Sequence, residues 1–156
     1  MKRIGLWIGY VLFWLAWPAY QVYYRRSSRT RVLLTCGSDM LVLQGWINDG
    51  TFILPGGGMH TGEDPVTGAV RETLEETGLR ILPEALVYLG EATYRRAGLQ
   101  FTYHMFTASA DAALALKRQR HEVADIRWVP IAAPGVRLSQ DTQQTLQAAR
   151  DHHLLQ

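Results

Sequence analysis

Apolar and polar positions alternate along this chain with changing period, and the changes mark its elements. From Ile4 to Tyr24 no residue is charged, a run long enough to cross a bilayer as one helix. Short β-rich runs follow. Arg31–Cys36 and Met40–Trp46 read as strands joined by the turn residues Gly37, Ser38 and Asp39. Thr51–Leu54 is a third strand candidate, entered through Asn48-Asp49-Gly50 and left through Pro55-Gly56-Gly57-Gly58. The period then becomes helical. Asp64-Pro65 supplies a cap and a first-turn proline, and Gly78 stands where a helix stops in the left-handed conformation. Ala85–Tyr94 and Leu99–Ala108 read as a hairpin around Arg95-Arg96-Ala97-Gly98, and Asp125–Val129 as a further strand. Ser139 or Asp141 caps a last helix running toward Leu155. Strands before and after a central helix, with a closing helix, give an α+β layered domain.

The N-terminal run predicts a single transmembrane helix over residues 4–24; a helix lying in the membrane plane and a helix buried in the domain are the alternatives. Trp7, Trp17, Tyr20, Tyr23 and Tyr24 sit toward its ends, where amphipathic rings favour the headgroup zone. Arg25, Arg26, Arg29 and Arg31 form a basic flank suited to anionic lipid. Trp17 and Pro18 stand where a cleaved signal peptide would carry small residues. This reading divides the chain into an anchor with basic flank at 1–29 and a domain at 30–156. It makes the protein a single-pass membrane protein, and the four arginines after the run, against Lys2 and Arg3 before it, favour a cytoplasmic side for the domain that follows.

Charge follows the same division. The chain has 16 Lys and Arg against 14 Asp and Glu. Lys2, Arg3, Arg25, Arg26, Arg29 and Arg31 come before any acid, and what remains is net acidic. The basic pI therefore belongs to the N-terminal segment and gives no ground for a nucleic-acid partner. Cys36 is the single cysteine, so no internal disulfide can form.

The chemistry concentrates at Gly57–Leu79, GGMHTGEDPVTGAVRETLEETGL. On a helix beginning at Pro65, Val66, Val70, Thr73 and Thr77 share a stripe suited to packing, with Glu72, Glu75 and Glu76 roughly opposite. Glutamates three and four apart repel one another, and a bound cation reverses that repulsion. Oxygen-only ligands suit a hard ion, Mg²⁺ or Mn²⁺. A Glu-rich helix face is by itself usually no more than a solvated surface.

The spacing of Gly57, Glu63, Arg71, Glu72, Glu75, Glu76, Gly78 and Leu79 resembles the signature box of the Nudix family, with Thr73 where the family usually has an aliphatic residue. The resemblance implies a Nudix-type α/β/α sandwich over about residues 30–155 and hydrolysis of a diphosphate bond with Mg²⁺ or Mn²⁺. It implies Glu72, Glu75, Glu76 and the Gly56 carbonyl as metal ligands, Glu72 or Glu122 as general base, and Arg71, Glu63 and Gly57 as supporting residues. Arg95 and Arg96 are candidate phosphate contacts. The expected substrate is a nucleoside diphosphate derivative or nucleoside triphosphate. The alternatives are a lipid-linked (prenyl) diphosphate, suggested by the anchor, and a nucleotide-binding sensor without catalysis, which the intact glutamates disfavour.

Overall fold

The structure, a computed structural model, describes residues 2–24, 28–96, 99–110, 116 and 122–155. Its elements are α1 (Lys2–Tyr24), β1 (Ser28–Cys36), β2 (Asp39–Gly45), α2 (Pro65–Thr77), β3 (Val87–Arg96), β4 (Leu99–Ser109), β5 (Val123–Pro130) and α3 (Gln140–Asp151). The strands form one sheet in the order β3-β4-β1-β2-β5. β1 runs parallel to β4, and the other pairs are antiparallel. Ala97 and Gly98 of the expected turn, His121, Arg25 and Arg26, and the charged stretch at 117–121 lie outside the described residues.

Both sheet faces are covered, which is why β1 is apolar throughout its centre. Val32, Leu34, Leu41 and Phe106 pack toward Ala69 and Leu79 on the α2 side. Leu33, Met40 and Val42 pack toward Leu146 and Ala149 of α3 on the other. This is the expected α/β/α sandwich. Thr51–Leu54 does not become a full strand. It makes only isolated bridges, Leu43↔Ile53 and Phe52↔Leu138. Glycine and proline close in on both sides of it, and a ladder has no room to extend.

The expected transmembrane span is corrected. α1 is a helix, but among the described residues no helix is both long and apolar enough to cross a membrane. Its Trp and Tyr residues carry polar tips, and Gly9 and Pro18 add little apolar surface. One face is also occupied. Gly9 lies so close to β2's exit that a Cβ there would sit 1.7 Å from the Trp46 carbonyl oxygen. Trp17 packs against the α3-side core. The opposite face is open, with Trp7 69% and Leu15 72% exposed. Arg31, counted with the basic flank, belongs to β1 and is buried.

Candidate active site

The loop before α2 is held along β1. Val32 N–H donates to Pro55 O at 2.8 Å, Thr30 N–H to Gly57 O at 2.9 Å, and Met59 N–H to Ser28 O at 2.9 Å. The helix start is set by Asp64, whose carboxylate accepts from the Val66 and Thr67 N–H groups at 3.0 and 3.1 Å. Gly78 ends it at φ 73°, with its N–H on Leu74 O at 2.9 Å. Two glycines bring the loop against the helix. At Gly56 (φ 133°) a Cβ would lie 2.2 Å from Thr30 O, a backbone collision. At Gly57 a Cβ would lie 2.4–2.7 Å from the three terminal atoms of Glu72. The Glu72 carboxylate thus occupies the space that Gly57 leaves.

Those two collisions have different consequences. The Glu72 carboxylate can swing aside, whereas the Thr30 backbone cannot. We expect Gly57→Ala to change stability by no more than about 1 kcal/mol while lowering kcat/KM roughly 10- to 100-fold. Melting curves alongside kinetics check this. Equal activity in Gly57→Ala would separate the Glu72 position from the chemistry.

Arg71 ties the glutamates together. Its Nε and Nη2 reach the two oxygens of Glu63 at 2.9 and 2.8 Å, a bidentate pair. Its Nη1 donates to Glu72 at 2.8 Å and to Glu75 at 3.3 Å, and its Nη2 also donates to Gly58 O at 3.0 Å. Glu63 in turn accepts from His60 N–H at 2.9 Å, which closes the loop onto the helix. The hydrogen bond from Arg71 holds the Glu63 carboxyl down at about 2, below the usual 4.5. A depressed carboxylate stabilises the fold above its unfolded pKa, and that contribution is lost as pH falls toward the folded value. Between pH 4.5 and 2 the protein should therefore lose about 1–2 kcal/mol at this junction, allowing for solvent screening. Glu63→Gln should flatten that part of the stability-against-pH curve, and an unchanged slope would remove Glu63 as its cause.

Glu76 departs from the expected face. It lies on the buried side of α2 with Thr73 and Thr77, while Val66 and Val70 are only partly buried. Its carboxylate accepts from Gly56 N–H at 2.8 Å. Burial pushes its carboxyl up to about 8, against the Gly56 hydrogen bond and the Arg31 charge, which both favour ionisation. A buried carboxyl of this kind favours the company of a cation. The donor set fits a hard ion: Glu72 and Glu76 face the two loop glycines from the helix side, and all donors are oxygens. Among the described residues, no three His, Cys, Asp or Glu groups already converge as a finished metal cage. Glu72 and Glu75 point to Arg71 instead, and Gly56 O accepts from Arg31 Nη1 at 2.8 Å, leaving that oxygen one lone pair.

A cavity of about 190 Å³ opens on the other side of Arg31. Phe13 and Trp17 of α1, Asp49 and Thr51 of the loop after β2, and Tyr94 and Phe101 of the β3–β4 hairpin are among its lining residues. The Tyr94 and Phe101 rings are stacked, 4.8 Å apart and 12° from parallel. Arg31 also lines the cavity, with its Nε on Asp141 Oδ2 at 2.5 Å. One guanidinium therefore touches both the cavity and the glycine loop.

The NUDIX domain family matches residues 18–150. The chain belongs to the Nudix family. It is an enzyme of the Nudix hydrolase class. No curated protein sequence matches it. Among solved structures, a MutT NUDIX hydrolase from Burkholderia pseudomallei has a TM-score of 0.71 at 16% identity, over 79% of this chain and 97% of that one. The NUDIX domain of Shewanella oneidensis NrtR, complexed with ADP ribose, has a TM-score of 0.68 at 22% identity, over 82% and 88%. A Caenorhabditis elegans Ap4A hydrolase binary complex has a TM-score of 0.67 at 18% identity, over 81% and 97%. At these identities the likeness establishes the fold.

Within the Nudix box the structure joins Glu63, Arg71, Glu72 and Glu75 in one network and Glu76 to Gly56. Glu122 and Arg95 are not joined to that network by any hydrogen bond or ion pair among the described residues. Glu122 is exposed at the entry to β5, where its carbonyl accepts from Trp46 N–H at 3.2 Å. Arg95 is exposed on β3 opposite Gln100, and Arg96, the last residue of that strand, pairs with Leu99. Sequence reasoning missed the Arg31–Asp141 pair and the aromatic cavity. A signal for the first was present: an arginine at the start of an apolar strand has to be paired if that strand is central.

Proposed function

We propose that this Nudix enzyme hydrolyses a diphosphate bond in a nucleoside diphosphate derivative or a nucleoside triphosphate. The carrying observation is the joined geometry of one rim. Glu72 sits over Gly57, Glu76 holds Gly56 N–H, and Arg31 connects that loop to an aromatic cavity. Gly56, Glu72, Glu75 and Glu76 would hold Mg²⁺ or Mn²⁺. Such an ion neutralises phosphate charge and lowers the pKa of a bound water. Arg71 orients the carboxylates, and Glu63 fixes Arg71. Glu72 is the better placed general base, since Arg71 and Gly57 fix its carboxylate against the glycine loop, while Glu122 is exposed and joined to none of these residues. ADP ribose in the NrtR structure and the Ap4A hydrolase among similar folds support a nucleoside diphosphate derivative as the substrate class. We place the reaction in the cytoplasm, where such substrates and Mg²⁺ occur.

A lipid-linked diphosphate is the second reading, favoured by one observation: the open face of α1 presents Trp7, Ile8, Leu12 and Leu15. The deciding experiment incubates the full chain with nucleotide sugars, ADP-ribose, oxidised deoxynucleoside triphosphates, dinucleoside polyphosphates and prenyl diphosphates, with Mg²⁺ and with EDTA. Release of a nucleoside monophosphate or phosphate from a nucleotide, abolished by EDTA, is the expected result. Turnover of the prenyl diphosphate alone would replace it with the lipid reading. Tight binding of one nucleotide without turnover of any would make the protein a sensor.

A further inference from the structure

We propose that Phe13 and Trp17 of the N-terminal helix form a stacking wall for the flat ring of the substrate, so that α1 supplies much of the enzyme's affinity for the nucleobase. The proposal rests on the hydrolase reading for the position of the diphosphate and goes beyond it in assigning the ring's site.

Position along α1 is the first ground. Gly9, Phe13 and Trp17 recur at intervals of four, which places them on one helix face. That face meets the domain. Gly9 is in contact with the Trp46 carbonyl, and no larger residue fits there. Phe13 and Trp17 then reach the cavity, their rings 5.1 Å apart at 57°. Trp7 and Leu15 project from the opposite side. The helix is thus seated by a close backbone approach one turn before its first cavity residue.

The cavity is the second ground. At about 190 Å³ it is smaller than the few hundred Å³ that enclose a whole drug-sized ligand, and suits one ring system. The stacked Tyr94 and Phe101 pair belongs to the sheet, and Phe13 and Trp17 to the helix. Arg31 then leads from this cavity to Gly56 O, the loop that faces Glu72 and Glu76. A ligand with its diphosphate at Glu72 and Glu76 and its ring in the cavity would pass Arg31, which lines the cavity and holds the glycine loop. Aromatic side chains hold nucleobases by stacking, whichever base is present, and the identity of the wall decides how tightly.

The test titrates AMP, GMP, CMP and UMP against the full-length protein by calorimetry, with ribose 5-phosphate as the probe that lacks a base. The wild type should bind at least one nucleotide roughly tenfold more tightly than ribose 5-phosphate. Trp17→Ala should bring that ratio close to one, and Trp17→Phe should keep most of it. Gly9→Val, which unseats the helix and leaves every aromatic cavity residue in place in the sequence, should act as Trp17→Ala does. If Trp17→Ala does not fold, Trp17→Leu keeps bulk without the flat ring and carries the same expectation. An unchanged ratio in folded Trp17 and Gly9 variants, or no base preference in the wild type, overturns the proposal. Nucleotide hydrolysis with an unchanged ratio would remove the wall and leave the hydrolase reading. A base preference sensitive to Trp17, in a protein that hydrolyses nothing, would do the reverse.

Discussion

Glu76→Gln should lower kcat/KM roughly 100-fold or more while leaving the metal-free protein as stable as the wild type below pH 4.5 and increasingly more stable from there to about pH 8. The two halves have one cause. Glutamine keeps the size of the side chain and an oxygen to accept from Gly56 N–H, now at 2.8 Å, so the loop stays seated. It cannot become negative. In the wild type, burial lifts this carboxyl to about 8 from 4.5. A raised carboxyl pKa means that the folded state holds its proton more firmly than the unfolded state. Stability then falls as pH rises from 4.5 through 8, and glutamine escapes that loss. A cation offsets it in the wild type alone. Removing even a residue that only supports a metal ligand commonly costs 10- to 100-fold, and Glu76 is proposed as a ligand itself. Kinetics with Mg²⁺, together with melting of the EDTA-treated proteins, separates the halves. Unchanged turnover would sink the assignment of Glu76 to the metal.

Asp141→Ala should destabilise the fold by about 3–5 kcal/mol. The Arg31 and Asp141 side chains are 5% and 3% exposed, and they meet at 2.5 Å. Burial works against the Asp141 charge, but Arg31, the Ser139 hydroxyl and Thr142 N–H outweigh it and hold the carboxyl below its ordinary range. Without the carboxylate, a guanidinium stays buried against Thr30 O and Gly56 O and has lost its Asp141 partner. Asp141 also stands in the first turn of α3, where a negative charge favours the helix. The double change Arg31→Met with Asp141→Leu removes both charges and should recover most of the loss. Urea unfolding of the singles and the double measures this. A loss below about 1 kcal/mol for Asp141→Ala would show that water reaches the pair. Because Arg31 donates to Gly56 O, the single variant should lose activity as well, through the glycine loop.

The box helix was legible because its information is local. Asp64, Pro65 and Gly78 are read within one turn of the chain, and each does at its position what the backbone rules require. The strand pairs around Gly37–Asp39 and Ala97–Gly98 were legible for the same reason. The side of α2 on which Glu76 falls was not. Periodicity put it opposite Thr73 and Thr77, and in the structure it lies beside them. The chain turns the glycine loop against that face, so a buried N–H of Gly56 awaits a carboxylate there. A helical wheel contains no information about a loop that crosses it. The first residues show the same limit. An uncharged run with aromatic ends reads alike for a bilayer and for a groove, and the approach of Gly9 to Trp46 and the packing of Trp17 are contacts that the run itself does not record.

The sequence by itself determined the family, the capped helix with its three glutamates and the alternation of strands, because residue spacing and local backbone preference carry all of these. The tertiary structure alone decided that Glu72 fills the space over Gly57, that Glu76 is buried on Gly56, that Arg31 pairs with Asp141, and that α1 lies against the domain and lines a cavity. Each of these joins segments remote in the chain. Such contacts depend on how the sheet brings β1, the glycine loop and both terminal helices together, and no local pattern records that.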